Sequence, residues 1–237
     1  MQAALLDWFA ANARELPWRR TRDPYAILVS EVMLQQTQAS RVVPRYLAWL
    51  ERWPTTEALA AAATGDVIRE WQGLGYNRRA LSLQRAAREV AANGWPDDLT
   101  ELPGVGRYTA DAVACFAHGQ PVLPVDVNVR RVQERTGAAF DHTCGQALMD
   151  LGAMICIARV PRCAECPLAE ACPSRGLRFE PLRKQSPFEG SFRQRRARAL
   201  RLIAEAPRPL AEVDLEAVES LRRDELVRIE DELVSLP

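Results

Sequence analysis

Lysine is almost absent from this chain: Lys184 is the only one in 237 residues. An amine nucleophile able to form a Schiff base is therefore nearly unavailable. Histidine is scarce as well. His118 and His142 are the only two, and neither lies in a motif, which argues against Ser-His and His-metal chemistry. No run of about 18 apolar residues occurs, so no membrane-spanning helix is expected. Met1 to Trp8 carry Asp7 and no basic lead-in, which does not read as a secretory signal. The expectation is a cytoplasmic, nucleoid-associated protein with no membrane partner. Net charge is missing too. The 31 basic and 31 acidic residues cancel, so a globally basic nucleic-acid protein is not announced.

The balance hides blocks of charge. Residues 1–180 hold 20 basic and 20 acidic side chains, residues 181–208 hold 8 and 2, and residues 209–237 hold 3 and 9. Helix signals dominate. Asp23 before Pro24 reads as an N-cap with proline at the first helical position, opening a helix to about Gln36. Thr37 can cap the next, to about Trp53. Short helices are expected from Thr55 or Thr56 and over Asp66 to Trp71. Gly73-Leu74-Gly75 breaks the chain, and Asn77 begins a helix ending at Asn93-Gly94. Asp97 or Asp98 starts a short helix. Arg107 to His118, Asp126 to about Thr136 and Gly145 to Ile155 follow. Phe188 to Ala206 reads as a basic helix, then come an acidic helix and a hairpin about Glu230-Asp231. The expected organisation is a mainly α body over residues 1–175. Its six-helix part covers about 22–125 and its second subdomain about 1–21 and 126–175. A linker over 176–187 leads to a small α+β winged-helix-like segment over 188–237.

Four of the six cysteines cluster as C-x6-C-x2-C-x5-C: Cys156, Cys163, Cys166 and Cys172. The C-x2-C core lets two thiolates converge from one tight turn, and Pro161 and Pro167 keep the connecting loops non-helical. Four thiolates suit either a tetrahedral zinc or an iron–sulfur cluster. Cys115 and Cys144 lie outside the pattern. The sharpest short motif is Leu102-Pro103-Gly104-Val105-Gly106. Its glycines allow a sharp turn and leave amide N–H groups at the start of the next helix, a nest that can hold an anion without side-chain charge. The alternative is a plain αα-corner. Phosphate contacts through amides would explain how a neutral protein holds nucleic acid.

These elements together resemble a known family. Leu102–Gly106 is similar to the helix-hairpin-helix element of the base-excision DNA glycosylases. Asp126, in Val125-Asp126-Val127-Asn128-Val129, matches the aspartate typical of that superfamily. The cysteine spacing resembles the [4Fe–4S] loop of its endonuclease III and MutY branch. Leu16-Pro17-Trp18-Arg19, Ser30–Thr37 and Trp71–Tyr76 resemble the adenine-excising members. The resemblance covers about residues 5–175. It implies a helix-hairpin-helix glycosylase fold of two helical subdomains with an iron–sulfur loop. The implied partner is double-stranded DNA with an adenine mispaired with 8-oxoguanine or guanine, and the expected state is a monomer.

Breaking an N-glycosidic bond needs a proton for the departing purine and an anion for the cationic sugar, the logic of paired carboxylates. Glu31 lies mid-helix among Val29, Val32, Met33 and Leu34, where burial would let it act as a general acid. The resemblance implies that it protonates adenine N7 and then helps activate water. Asp126 sits where a helix begins, and helix dipole and amides favour its ionised form. An anion there suits an oxocarbenium ion, although a structural N-cap explains the residue locally as well. By resemblance Tyr108 and Asn128 line the catalytic pocket. A lysine replaces Tyr108 in endonuclease III-like enzymes, so a monofunctional glycosylase is implied here.

Base extrusion leaves a gap in the stack. By resemblance Gln36 and Leu34 are wedge residues, Tyr76 intercalates, Arg19 lies near the adenine pocket, and Gly104, Val105 and Gly106 hold phosphate. Three departures stand out. Asp126 and Cys156 are only 30 residues apart, Val127 stands where the resemblance implies a glycine, and where it implies a large C-terminal domain that reads oxidised guanine only about 50 residues are expected. Within these, the arginines at 193, 195, 196, 198 and 201 can track phosphate or pair with the acidic tail. Two alternatives remain: a thymine/uracil mismatch glycosylase and a non-enzymatic DNA-binding cluster protein.

Overall fold

The computed structural model describes residues 1–180 and 187–237, so Lys184 and half of the expected linker lie outside the described residues. In chain order the helices are α1 (Gln2–Asn12), α2 (Pro24–Leu34), α3 (Ala39–Arg52), α4 (Thr56–Ala61), α5 (Thr64–Glu70), α6 (Arg78–Asn93), α7 (Arg107–Phe116), α8 (Val127–Thr136), α9 (Gly145–Met154), α10 (Phe192–Glu205) and α11 (Leu215–Arg223). Among the described residues there are also three short strands: β1 (Arg208–Pro209), β2 (Arg228–Glu230) and β3 (Leu233–Ser235). Among the described residues no helix is long and apolar enough to cross a membrane.

Two compact units emerge, Met1–Leu28 with Gly106–Lys184 and Val29–Val105 with Gln185–Pro237. These cuts differ from the expected boundaries. One falls inside α2 and the other inside the hairpin, so α7 joins α8 and α9. The C-terminal segment, expected to stand apart behind a linker, joins α3–α6.

In the first unit α1 and α8 pack on α9. Their shared core holds Leu5, Val129, Val132, Leu148 and Leu151. Asp126 caps α8 through its side chain, and Gly137 ends the helix in the left-handed conformation, φ 64°, where a side chain would strain the backbone. Asp150 on α9 is fully buried. Its carboxylate accepts from Arg14 Nε at 2.7 Å and from Arg19 Nη2 and Nη1 at 2.7 and 2.9 Å. Burial alone would push the Asp150 carboxyl up, but the hydrogen bonds from Arg19 and Arg14 hold it below the usual carboxylate range.

In the second unit Trp49 and Trp71 are fully buried and meet edge to face, with ring centroids 5.4 Å apart. Thr55 caps α4 as expected by accepting from the Ala58 amide. Thr37 does not cap α3: Gln38 takes that position, without a side-chain cap. The C-terminal segment runs α10, β1, α11, β2, β3 with sheet order β1-β3-β2, the arrangement of a small winged helix. Ile68 of α5 and Leu81 of α6 share one buried cluster with Leu200, Ile203, Val218 and Leu226. That apolar burial is why this segment belongs to the unit. Much of the basic run is neutralised inside the segment. Arg195 pairs with Asp214 and Glu216, and Arg196 with Asp224. Arg198 and Arg201 are exposed.

Candidate active site

Helix α2 begins as the sequence dictates. The Asp23 carboxylate accepts from the Tyr25 amide at 3.0 Å, satisfying a donor that the helix start leaves open. From Tyr25 to Met33 every residue is buried, so this helix is enclosed rather than amphipathic. Glu31 sits within that stretch and is 5% exposed. The helix ends at Leu34, which is half-buried, and Gln36 follows exposed in the left-handed region, φ 55°. In the same unit Tyr76 is 52% exposed and also left-handed, φ 46°. A non-glycine residue rarely adopts that conformation unless its surroundings impose it.

Gly104 answers to two demands. Its φ is 79°, and a Cβ there would stand 2.6 Å from Ser82 Cβ on α6. Only glycine fits such an approach. Val105 is buried, which makes it a packing residue of the turn. Gly106 occupies the N-cap of α7 without any side-chain cap, so its first amides are not taken by a capping oxygen. Tyr108 on the first turn of α7 is half-buried.

Asp126 is held by directed bonds. Its Oδ1 accepts from the Asn128 and Val129 amides at 2.8 and 2.7 Å, and its Oδ2 from Asn128 Nδ2 at 2.7 Å. The chain of contacts continues. Arg131 Nη2 donates to Asn128 Oδ1 and to the Gly152 carbonyl, both at 2.6 Å, while its Nε donates to the Cys156 carbonyl at 2.7 Å. Gly152 is what permits this, since a Cβ there would lie 2.6 Å from Asn128 Cβ and 3.0 Å from Asn128 Cα. Three N–H donors thus fix the position of both carboxylate oxygens.

Cys156, Cys163, Cys166 and Cys172 line one cavity of the first unit. All four are free thiols. Burial pushes the Cys166 thiol up. A hydrogen bond from the Leu168 amide opposes this, and the sulfurs of Cys156, Cys172 and Cys163 push it further. Thiolates crowded this way repel one another unless a metal charge holds them. Arg135 Nη1 donates to Cys156 Sγ at 3.4 Å, and the Gly176 amide to Cys163 Sγ at 3.3 Å. The donor set fits a thiolate-held metal group. Among the described residues no three His, Cys, Asp or Glu side chains are arranged as a metal-ion site.

Arg19 is placed by the Asp150 ion pair described above and also donates to the Arg14 carbonyl at 2.9 Å.

Comparison with known proteins follows the same lines. Residues 29–148 match the model of the HhH-GPD superfamily of base excision DNA repair proteins. The chain is 41% identical over 281 aligned positions to the adenine DNA glycosylase of Mycobacterium tuberculosis, covering 98% of this chain and 92% of that one. It is 38% identical to the human adenine DNA glycosylase, over 73% of this chain and 39% of that one. Its fold is similar to that of a thermostable thymine-DNA glycosylase, with TM-score 0.65, 28% identity and coverage of 72% and 93%. The chain belongs to the HhH-GPD superfamily, in its adenine DNA glycosylase branch.

Within this family frame, sequence reasoning missed Arg79, Arg131, Arg135 and Gly152. Asn128, Arg131 and Arg135 follow one another at i, i+3 and i+7 on α8, one helical face, and that spacing was the available signal. Arg79 had none, because its partners are up to 47 residues away.

Proposed function

We propose that this adenine DNA glycosylase hydrolyses the N-glycosidic bond of an adenine mispaired with 8-oxoguanine or guanine in double-stranded DNA. Glu31 acts as the general acid. Burial of a carboxyl disfavours its ionised form, and Glu31 lies in the enclosed stretch of α2. It delivers a proton to N7 of the departing base and then orients water. Asp126, fixed by the Asn128 and Val129 amides, stabilises the positive charge that builds on the sugar. Asn128 fixes the second carboxylate oxygen, and Tyr108 supports the reacting sugar or water. Gln36, Leu34 and Tyr76 fill the space left by the extruded base, and the Gly104–Gly106 turn holds phosphate.

The observation that carries this reading is the identity to adenine DNA glycosylases along nearly the whole chain, joined to a buried carboxyl on α2 and a hydrogen-bonded one at α8. Excision assays on four duplexes test it: adenine opposite 8-oxoguanine, adenine opposite guanine, and thymine or uracil opposite guanine. Release from the first two supports the proposal. Release confined to the last two assigns the chain to thymine or uracil instead, thymine being the base named for the similar thymine-DNA glycosylase.

Tyr108 replaces an amine nucleophile, and the chain has one lysine in all. The product is therefore an intact abasic site, and borohydride should trap little covalent DNA adduct. Cys156, Cys163, Cys166 and Cys172 would hold a [4Fe–4S] cluster, which would stiffen the loop that carries Arg159 and Arg162. Iron and sulfide analysis against zinc tests that assignment.

A further inference from the structure

Arg79 stands in the first turn of α6, where a cation opposes the helix dipole. Its location makes sense only through what it reaches. Nη1 donates to the carbonyls of Val32, Met33 and Gln35 at 2.8, 3.1 and 2.6 Å. Nη2 donates to the carbonyls of Leu74 and Gly75 at 3.1 and 2.9 Å and to Thr37 Oγ1 at 3.2 Å. One guanidinium thus binds the open C-terminal carbonyls of α2 with one nitrogen and the Gly73–Tyr76 turn with the other. Its plane also lies over the Trp71 and Tyr76 rings, 5.2 and 5.6 Å from their centroids.

The two segments it joins have much in common. Each presents one exposed side chain from a left-handed residue, Gln36 on the first and Tyr76 on the second. Neither is secured by regular secondary structure. Other ties converge on the same place. Thr37 Oγ1 donates to the Leu74 carbonyl at 3.4 Å, Trp71 Nε1 to the Gly75 carbonyl at 3.1 Å, and Arg41 to the Gly73 carbonyl. A guanidinium can serve two groups of carbonyls at once because its donors form a rigid planar fork, whereas an ammonium is a single point. Burial draws the Arg79 guanidinium down to about 10, against a raising influence from Tyr76, so it remains charged at neutral pH.

We infer that Arg79 is a positioning residue that fixes Gln36 and Tyr76 relative to each other, so that both enter the base stack as one preformed wedge. This rests on the proposed insertion of Gln36 and Tyr76. The Arg79 donors are directed at these protein acceptors, so Arg79 acts through Gln36 and Tyr76. It removes the ordering that two independent loops would otherwise undergo during extrusion.

The test compares single-turnover excision from a fully paired duplex with excision from a duplex whose target adenine already lies in an unpaired bubble. Arg79→Met and Arg79→Lys are expected to slow excision from the paired duplex about tenfold or more. The same variants should slow excision from the bubble by less than about threefold, since extrusion there costs little. Charge alone does not rescue, so parental rates in Arg79→Lys overturn the inference. Equal losses on both substrates also overturn it, because they report damage to the helix that carries Glu31. Gln36→Ala and Tyr76→Ala should show the same paired-duplex loss. If these two lose equally on both substrates, the insertion reading falls and takes the inference with it. If they show the paired-duplex loss and Arg79→Met does not, the inference alone falls. Should the Arg79 variants fold poorly, Thr37→Val removes one acceptor without touching α6. It is expected to cost about threefold on the paired duplex only, and parental rates on both substrates overturn the inference.

Discussion

Glu31 and Asp126 are held in place by different means. Glu31 rides on a helix whose residues from Tyr25 to Met33 are all buried, so its carboxyl is set in a closely packed stretch and withdrawn from bulk solvent. Asp126 is half-buried at a helix mouth and is fixed by three N–H donors, with Asn128 in turn held by Arg131. Apolar enclosure suits a group that must carry a proton, and directed donors suit one that must remain an anion. The comparison teaches that equivalent substitutions should fail differently: through lost proton transfer on α2, and through lost charge or displaced geometry on α8.

The largest effect is expected at Glu31. Glu31→Gln keeps shape and polarity but cannot supply a proton, and should lower single-turnover excision about 10²–10⁴-fold. Thermal unfolding should change little, since an amide is easier to bury than an ionised carboxyl. Full activity in Glu31→Gln would end the acid assignment. Asp126→Asn is the counterpart. Asparagine caps a helix about as well as aspartate, so α8 should persist. Removing the anion should nevertheless slow excision about 10²–10³-fold. If that rate loss comes with an equal collapse in stability, Asp126 is a cap and nothing more.

How much of this was legible beforehand follows from the range of the interactions involved. Asp126 capping α8 and Asp23 capping α2 depend on contacts two or three residues away, and the sequence displays such contacts openly. The enclosure of Glu31 was legible from its apolar neighbours. The clasp of Arg79 was not, since a cation in the first turn of α6 runs against local electrostatics and its acceptors are carbonyls, which carry no residue identity. Nor was the attachment of the C-terminal segment. Leu200 and Val218 meet Ile68 and Leu81 across more than 100 residues of chain, and amphipathic patterning shows which face is apolar without naming its partner. The charge blocks showed the basic run beside the acidic tail, but only the folded segment shows that Asp214, Glu216 and Asp224 engage Arg195 and Arg196.

A smaller activity effect, with a clear stability effect, is expected at Asp150, which braces the unit that carries Asp126. Asp150→Asn leaves the Arg14 and Arg19 guanidinia without their buried counter-charge and should cost about 3–5 kcal/mol. Acid should do the same reversibly. The folded carboxyl lies below its ordinary value, so its contribution is complete above about pH 4 and is lost as pH falls through the folded value. Urea unfolding followed between pH 3 and pH 7 measures this. An unchanged acid limb in Asp150→Asn would remove Asp150 as its source.

Gly152 gives the smallest expected effect and separates the two carboxylates most cleanly. A Cβ at 152 meets Asn128 Cβ at 2.6 Å, Asn128 Cα at 3.0 Å and the Asn128 carbonyl oxygen at 3.1 Å. Two of those atoms are backbone, so rotating a side chain cannot relieve the clash, and α8 must move away from α9. Overpacking of this kind costs about 1–3 kcal/mol. The displacement reaches Asn128, and through it the second carboxylate oxygen of Asp126. Gly152→Ala should therefore slow excision on both paired and bubble substrates alike, unlike a wedge defect. Gly145→Ala on the same helix is the control. Its Cβ would meet Leu123 Cδ1 at 3.5 Å and Pro124 Cδ at 3.6 Å, ordinary contacts, and alanine favours a helix over glycine. It should be neutral or slightly stabilising. If Gly152→Ala behaves like Gly145→Ala in melting temperature and excision rate, the close approach of α9 does not set the position of Asn128, and Asp126 is held by its own helix alone.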